Sequence, residues 1–429
     1  MTMDRRTLIK QLGGIGAATA IAGCSVQEDG GDGGGGDGGD GGSGGNSSDG
    51  GSGTESQGPA GTATAWYSLS ESELATRQDI IKEFNEQNRH TIEGADISDL
   101  QQKTSSAIPA GEGPQIFDWA HDWAGNTYEQ SFIVGQGDQL SVDMSVYTET
   151  ARQAAKYDGK VIGLPYGAET VTPIVNTDIV DSVPSSVDEM ISTIEKHHDP
   201  DNGQYGLSYP INSYFTSGWL QAFGGYFFEA DSDPQLGIAE DEFVRGLEFI
   251  VENFKPYMPK DPKYSPQAAA FNEGNAAITI NGPWSLAALN GNDINYEVIP
   301  FPEMSEGTPN PYTGIQLWYF AKAMESGGPS AAAARTFAEW YTTNEDHIRS
   351  LAESQGSIPV LKSVAQGDDL PATVQAFSSS VDMGTPMPAH PKMDDVWGPV
   401  DSALVKAFNG DATPEQALTT AAKDIRSNW

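Results

Sequence analysis

An α/β body built around two cores is the fold class that this sequence predicts, and three observations predict it. From residue 62 onward, short apolar runs with strand character alternate with amphipathic helical stripes, the pattern of sheets covered by helices. The 429 residues exceed what one ordinary core organises and suit two units of ordinary domain size. With 38% hydrophobic residues, 9 Trp, 15 Tyr and 16 Phe, both cores can be filled.

The leading segment stands apart from that body. Arg5-Arg6 precede a mild apolar stretch, Leu12 to Ala22. It is too short to cross a bilayer as a stable helix, but it has the charged start and apolar middle of a signal peptide. The paired arginines point to the twin-arginine route. Ile21-Ala22-Gly23-Cys24 resembles a bacterial-type lipobox, so residues 1–24 read as a leader and Cys24, the chain's one cysteine, as the lipid acceptor. The alternative is a plain signal peptide with an incidental cysteine. A single thiol allows no disulfide within the chain and no cysteine-based metal site. Residues 25–61 are mostly Gly, Asp and Ser. They cannot bury enough apolar surface to offset ordering entropy, and they read as a tether reaching about 5–6 Å times the square root of its length.

In the body, the first strand is expected at Ala63–Ser68. The helix after it sets Leu74, Ile81 and Phe84 on one face with charges opposite. Lys160–Leu164 and Pro173–Asn176 read as short strands. Ser185-Ser186-Val187-Asp188-Glu189 offers a capping box to a helix holding Met190, Ile191 and Ile194. Phe243, Leu247, Ile250, Val251 and Phe254 have the spacing of a core-facing helical stripe. Ala276–Ile280 is a further apolar strand. Near the end Thr413 caps, Pro414 takes the first helical position and Gln416 completes the box, ahead of Ala417, Ala421 and Ile425. The alternation predicts mostly parallel sheets.

The formal net charge is −37. Residues 1–61 hold eight of the 60 acids and three of the 23 bases, which leaves −32 on the body. Nucleic acid is excluded as a partner, because phosphate binding needs clustered Lys and Arg. Charge of one sign favours solubility but brings self-repulsion, which high salt screens. A halophilic source is therefore expected, with an acidic mesophilic protein as the alternative. None of the six histidines has zinc spacing, and His197-His198 reads as a helix end. Asp231-Ser232-Asp233 could hold calcium, but a solvated acidic face accounts for it better. No metal and no cofactor is expected.

Three blocks resemble the maltose/maltodextrin-binding proteins, members of the periplasmic solute-binding family. They are Gly111 to Asp122 (GEGPQIFDWAHD), Gly159 to Glu169 (GKVIGLPYGAE) and Ala270 to Trp284 (AFNEGNAAITINGPW). A weaker fourth runs from Met387 to Trp397. The resemblance covers roughly residue 63 to the end. It implies a type II clamshell: an N-terminal lobe of residues 62–167 and 318–363, a C-terminal lobe of 172–312 and 367–429, and hinge strands between them. It implies a monomer that closes on an oligosaccharide and delivers it to the permease subunits of an ABC importer on the outer face of the cytoplasmic membrane.

A sugar presents apolar C–H faces and a rim of hydroxyls, which aromatic rings and carboxylates respectively match. By resemblance, the aromatic platform falls on Trp119, Tyr214, Trp284 and Trp397, and the carboxylates on Asp122 and Glu169. Four further positions depart from the family pattern yet fall at the cleft: Ser70 and Glu71, where the family has an acidic-then-basic pair; Trp123, where it has an arginine; and Asn212, where it has a glutamate. Gly398 and Asp401 replace the family's tyrosine and arginine after the last tryptophan. The stacking surface is kept and the polar fringe is changed, which keeps an oligosaccharide and loosens the assignment to maltose. Each residue also has a plain structural reading: a tryptophan as core, Asp122 as a helix cap, Glu169 as the partner of a surface base. The rival functions are a glycoside hydrolase using Asp122 and Glu169 as acid and base, and a carrier of trehalose, a polyol or glycerol phosphate.

Overall fold

The computed structural model describes residues 58–69, 71–367 and 369–429. The leader, Cys24 and nearly all of the tether lie outside the described residues, as does Ser70. The body holds two sheets. Chain order gives β1 (Thr62–Tyr67), β2 (Thr91–Asp96), β3 (Ile116–Ala120), a small hairpin of β4 (Lys156–Tyr157) and β5 (Lys160–Val161), and β6 (Gly163–Glu169). It continues with β7 (Thr172–Asn176), β8 (Tyr205–Ser208), β9 (Ala276–Asn281), β10 (Tyr296–Val298), β11 (Tyr312–Phe320) and β12 (Thr385–Pro386). The larger sheet runs β12-β11-β3-β1-β2, with β6 also paired to β11; the smaller runs β10-β7-β9-β8.

Of the strands read from sequence, Ala63–Ser68, Pro173–Asn176 and Ala276–Ile280 match β1, β7 and β9 to within a residue at each end, whereas Lys160–Leu164 divides between β5 and β6, which runs on to Glu169. The expected stripe becomes the helix Asp241–Asn253, with Phe243, Leu247 and Ile250 buried and Phe254 closing its end. The Thr413–Gln416 capping box forms in both directions on Pro414–Asn428. Ser186 caps Val187–Lys196, but Glu189 reaches back to Ser185 instead of Ser186. His197 ends that helix. The expectation of mostly parallel sheets is corrected. β1 pairs parallel with β2 and β3, β8 with β9 and β11 with β12, whereas β11–β3, β11–β6, β7–β9 and β10–β7 are antiparallel. Each of those antiparallel pairs contains β7 or β11, strands that begin where the chain passes from one sheet to the other.

The chain changes sheet at Thr170-Val171, between β6 and β7, and again between β10 and β11. A third passage leads through the helix Ala372–Met383 and β12, which pairs with β11, to the last two helices, which join the core of the smaller sheet. Fully buried hydroxyls tie these passages together. Thr170 Oγ1 donates to Tyr312 O (3.0 Å), and Thr172 Oγ1 to Ile299 O (2.6 Å). Ser380 Oγ lies 2.7 Å from Thr172 Oγ1 and accepts from Phe301 N (3.3 Å). Buried polar atoms must be paired, and here the pairing joins all three passages. Val374 and Phe377 of the third passage pack with the larger sheet's core. Among the described residues, no helix is long and apolar enough to cross a membrane.

Candidate functional site

β3 carries Phe117 inward and ends at Trp119-Ala120, where a short turn, His121–Trp123, begins. The turn is pinned by His121, which is 3% exposed. Its Nδ1 accepts from Ile315 N (3.1 Å), so the proton sits on Nε2, which donates to Met387 O (3.0 Å). Burial lowers its pKa to about 4 and keeps the ring neutral. Held this way, Trp119 and Trp123 stack with centroids 4.2 Å apart and planes at 23°. Both rings are half-buried. Asp122 lies inside the turn, whose N-cap is Ala120, so the helix-cap reading of Asp122 does not hold for this turn.

Glu169 ends β6 opposite Gly314 of β11 and is 9% exposed. Its carboxylate lies over that glycine: a Cβ at Gly314 would sit 2.8 Å from Glu169 Oε1. The absent side chain makes the room for this buried carboxylate.

Past β9, Gly282-Pro283 turns Trp284 back on the chain. A Cβ at Gly282 would sit 2.2 Å from the indole, so glycine is the residue that admits this ring position. Phe215 supports Trp284 edge-on at 6.0 Å, and Tyr214 lies tilted at 6.4 Å. Trp397, on the helix Asp394–Asn409, rests against Tyr312 (5.6 Å) and Phe227 (6.1 Å). Tyr214, Trp284 and Trp397 are half-buried and pack on the core of the smaller sheet, Trp123 on that of the larger, and Trp119 on both. The aromatic set therefore straddles the boundary between the two cores.

Asn212 is the N-cap of Ser213–Leu220, with its side-chain oxygen taking Phe215 N–H (2.9 Å). Glu71 opens the helix Glu71–Gln87. The rims touch as well: Gly125 N donates to Ala389 O (3.0 Å), and Asn126 bonds Asp394. A Cβ at Gly125 would sit 2.0 Å from that carbonyl oxygen. An open hollow of about 740 Å³ between Phe223, Arg245, Glu306 and Met383 lies apart from these aromatic residues. No group of acids and histidines among the described residues is placed to hold a metal.

Sequence reasoning missed the residues that stand behind the rings: His121, Phe215, Phe227 and Tyr312. It names Asp401 only as a departure from the family pattern and not its partner: Oδ1 accepts from Ser213 N (2.7 Å) and Ser213 Oγ (2.6 Å). Its place one helical turn after Trp397 was the available signal.

Comparison with known proteins gives the family of the chain. Residues 79–378 match the bacterial extracellular solute-binding protein family. The chain belongs to that family. A maltotriose-binding protein of Pyrococcus abyssi (strain GE5 / Orsay) is 36% identical over 358 residues, 82% of this chain and 78% of that one. A galactooligosaccharide-binding protein of Bacillus subtilis (strain 168) is 26% identical over 74% of this chain and 77% of its own. Among solved structures, a cyclo/maltodextrin-binding protein complexed with maltotetraose superposes with a TM-score of 0.74 at 26% identity, covering 87% of this chain and 98% of that one. The Thermus thermophilus maltotriose binding protein bound with maltotriose gives 0.76 at 24% identity, covering 85% and 99%, and speaks for the fold alone. The family is one of binding proteins, and its two-lobed α/β fold is the fold of this chain.

Proposed function

We propose that this chain binds an oligosaccharide of the maltodextrin type between its lobes and passes it unaltered to an ABC importer. One observation carries the reading: half-buried aromatic rings from the cores of both sheets meet at one boundary, with Trp119 packed on both. Rings with one face covered and one available suit the apolar faces of pyranoses, while Asp122 and Glu169 suit their hydroxyls. The relatives' names support the sugar class, and a further relative, of Streptococcus pneumoniae (strain ATCC BAA-255 / R6), is named a maltooligosaccharide ABC transporter solute-binding lipoprotein. The lobes are 62–167 with 318–363, and 172–312 with 367–429; the buried Thr172–Ser380 knot lies where they join. Ser70 and Glu71 belong to the same cleft. No bond of the sugar is broken: Asp122 and Glu169 hold hydroxyls and do not act as acid and base. Cys24 carries a lipid after twin-arginine export, and the protein works as a monomer at the outer face of a halophile's membrane.

Titrating intrinsic tryptophan fluorescence with maltose, maltotriose, maltotetraose, trehalose and glucose tests the site. A saturable change with the longer glucans is expected, and silence to every sugar would overturn the reading. Thermal unfolding against KCl tests the halophilic origin: a Tm unchanged without salt removes it.

A further inference from the structure

Two platforms on the smaller sheet's half face the cleft, Trp397 on one helix and the Tyr214–Trp284 pair on another part of the fold. Besides shared core packing, a carboxylate bridges the two helices that carry Trp397 and Tyr214. Asp401 stands four residues after Trp397 on Asp394–Asn409, so both point from adjacent turns of the same face. Its Oδ1 takes both the backbone N–H (2.7 Å) and the hydroxyl (2.6 Å) of Ser213. Ser213 is 3% exposed, opens the helix Ser213–Leu220 and immediately precedes Tyr214. The first N–H groups of a helix have no partner within it, and an anion there is favoured by the helix dipole. Asn212 already takes the Phe215 N–H, so Asp401 supplies what that cap leaves open. The bond is charge-assisted and largely withdrawn from water, which makes it directional and stiff.

We infer that Asp401 is a positioning residue: through Ser213 it locks the Trp397 helix to the Tyr214 helix and so sets the spacing of the two platforms and the chain length of the sugar they hold together. The inference rests on the oligosaccharide reading above. Asp401 need not touch the ligand. Without it each platform survives on its own packing, Trp397 on Tyr312 and Phe227, and Trp284 on Phe215. What is lost is their register.

Isothermal titration of wild type, Asp401→Ala, Ser213→Ala and the double variant with maltose, maltotriose and maltotetraose tests this. Asp401→Ala should weaken maltotetraose on the order of tenfold, because preorganisation is lost, and maltose by less than about threefold. Ser213→Ala keeps the N–H and should show the same profile in weaker form. The double variant should be no worse than Asp401→Ala, since the two groups act through one contact. Asp401→Asn, which keeps an acceptor oxygen, should restore much of the chain-length profile and covers the case in which the alanine variant does not fold. Equal weakening toward every saccharide, or additive losses in the double variant, overturns the positioning role. Wild type silent to all three sugars removes the site reading itself; wild type that binds, beside an Asp401→Ala that binds equally, removes only this inference.

Discussion

The molecule holds two dense aromatic clusters that do opposite things. Under the larger sheet, Tyr67, Tyr166, Trp318 and Tyr341 surround Arg77, whose guanidinium carbon lies 4.6–5.4 Å from each ring centroid. Arg77 pairs with Asp118 at 2.8 Å, and Tyr166 donates to the same carboxylate. Both charged residues are 4% exposed, and Trp318 is fully buried. At the boundary of the two cores, Trp119, Trp123, Tyr214, Trp284 and Trp397 are all half-buried. Trp119 is next to Asp118 in sequence, so one strand supplies both clusters from opposite faces. In the first cluster the cation occupies the ring faces, and the protein leaves nothing to offer. In the second the rings stay partly exposed, and these are the ones we propose for the ligand.

The largest effect expected from this contrast is on stability. Arg77→Met should cost about 3–5 kcal/mol by denaturant unfolding, because Asp118 is left charged and buried without its partner. Burial already pushes Asp118 upward against the pull of Arg77. Arg77→Met with Asp118→Leu should recover much of that loss. Sugar affinity of the folded protein should stay near wild type; a large drop would mean that the closed cluster takes part in binding after all.

The reverse pattern is expected at the boundary. Trp284→Ala should cost about 2 kcal/mol or more of affinity, as a central aromatic anchor does, while shifting Tm by only a few degrees. A variant with full affinity and a collapsed Tm would return Trp284 to the core.

Between the clusters lies His121, which titrates against folding. Its pKa is about 4 when folded and near 6.5 when unfolded. The unfolded chain therefore binds the extra proton first. The stabilisation is complete above pH 6.5 and is lost as pH falls from there toward 4. At pH 5 the loss is about 2 kcal/mol by linkage. Asp118, Asp394 and Asp401, each raised by burial, act in the opposite sense, so the difference between proteins is the observable. His121→Gln, whose amide can still accept from Ile315 N and donate to Met387 O, should flatten the stability profile between pH 7 and 5. An unchanged slope would mean that His121 is not the titrating group.

The proposed aromatic platform rests on the family resemblance, and two of its members also lie in fixed local settings. Trp284 follows Gly-Pro at the end of a strand, and Trp119 ends an apolar strand. Helix stripes and caps were legible for the same reason. What was not legible depends on pairs far apart in the chain. His121 meets Met387, Ser213 meets Asp401, and Thr172 meets Ser380, at separations of 266, 188 and 208 residues. Local pattern carries no information about which distant polar atom will satisfy a buried one. The direction of strand pairing was misread for a similar reason, since alternation of elements does not say when the chain leaves one sheet for the other.

The smallest expected effect separates the two stacked indoles. Rings face to face at 4.2 Å cover one face of each other, which leaves each indole one outer face. We propose that Trp119, which packs on both cores, meets the ligand and that Trp123 backs it. An aromatic pair contributes about 0.5–1.5 kcal/mol beyond burial. Trp123→Leu should therefore cost about 1 kcal/mol of affinity through loss of that support, and Trp119→Leu clearly more. The double variant should cost little more than Trp119→Leu alone, because a backing ring has no role once its partner is gone. If Trp123→Leu costs as much as Trp119→Leu and the losses add, both indoles touch sugar and the cleft holds a ligand on each side of the stack.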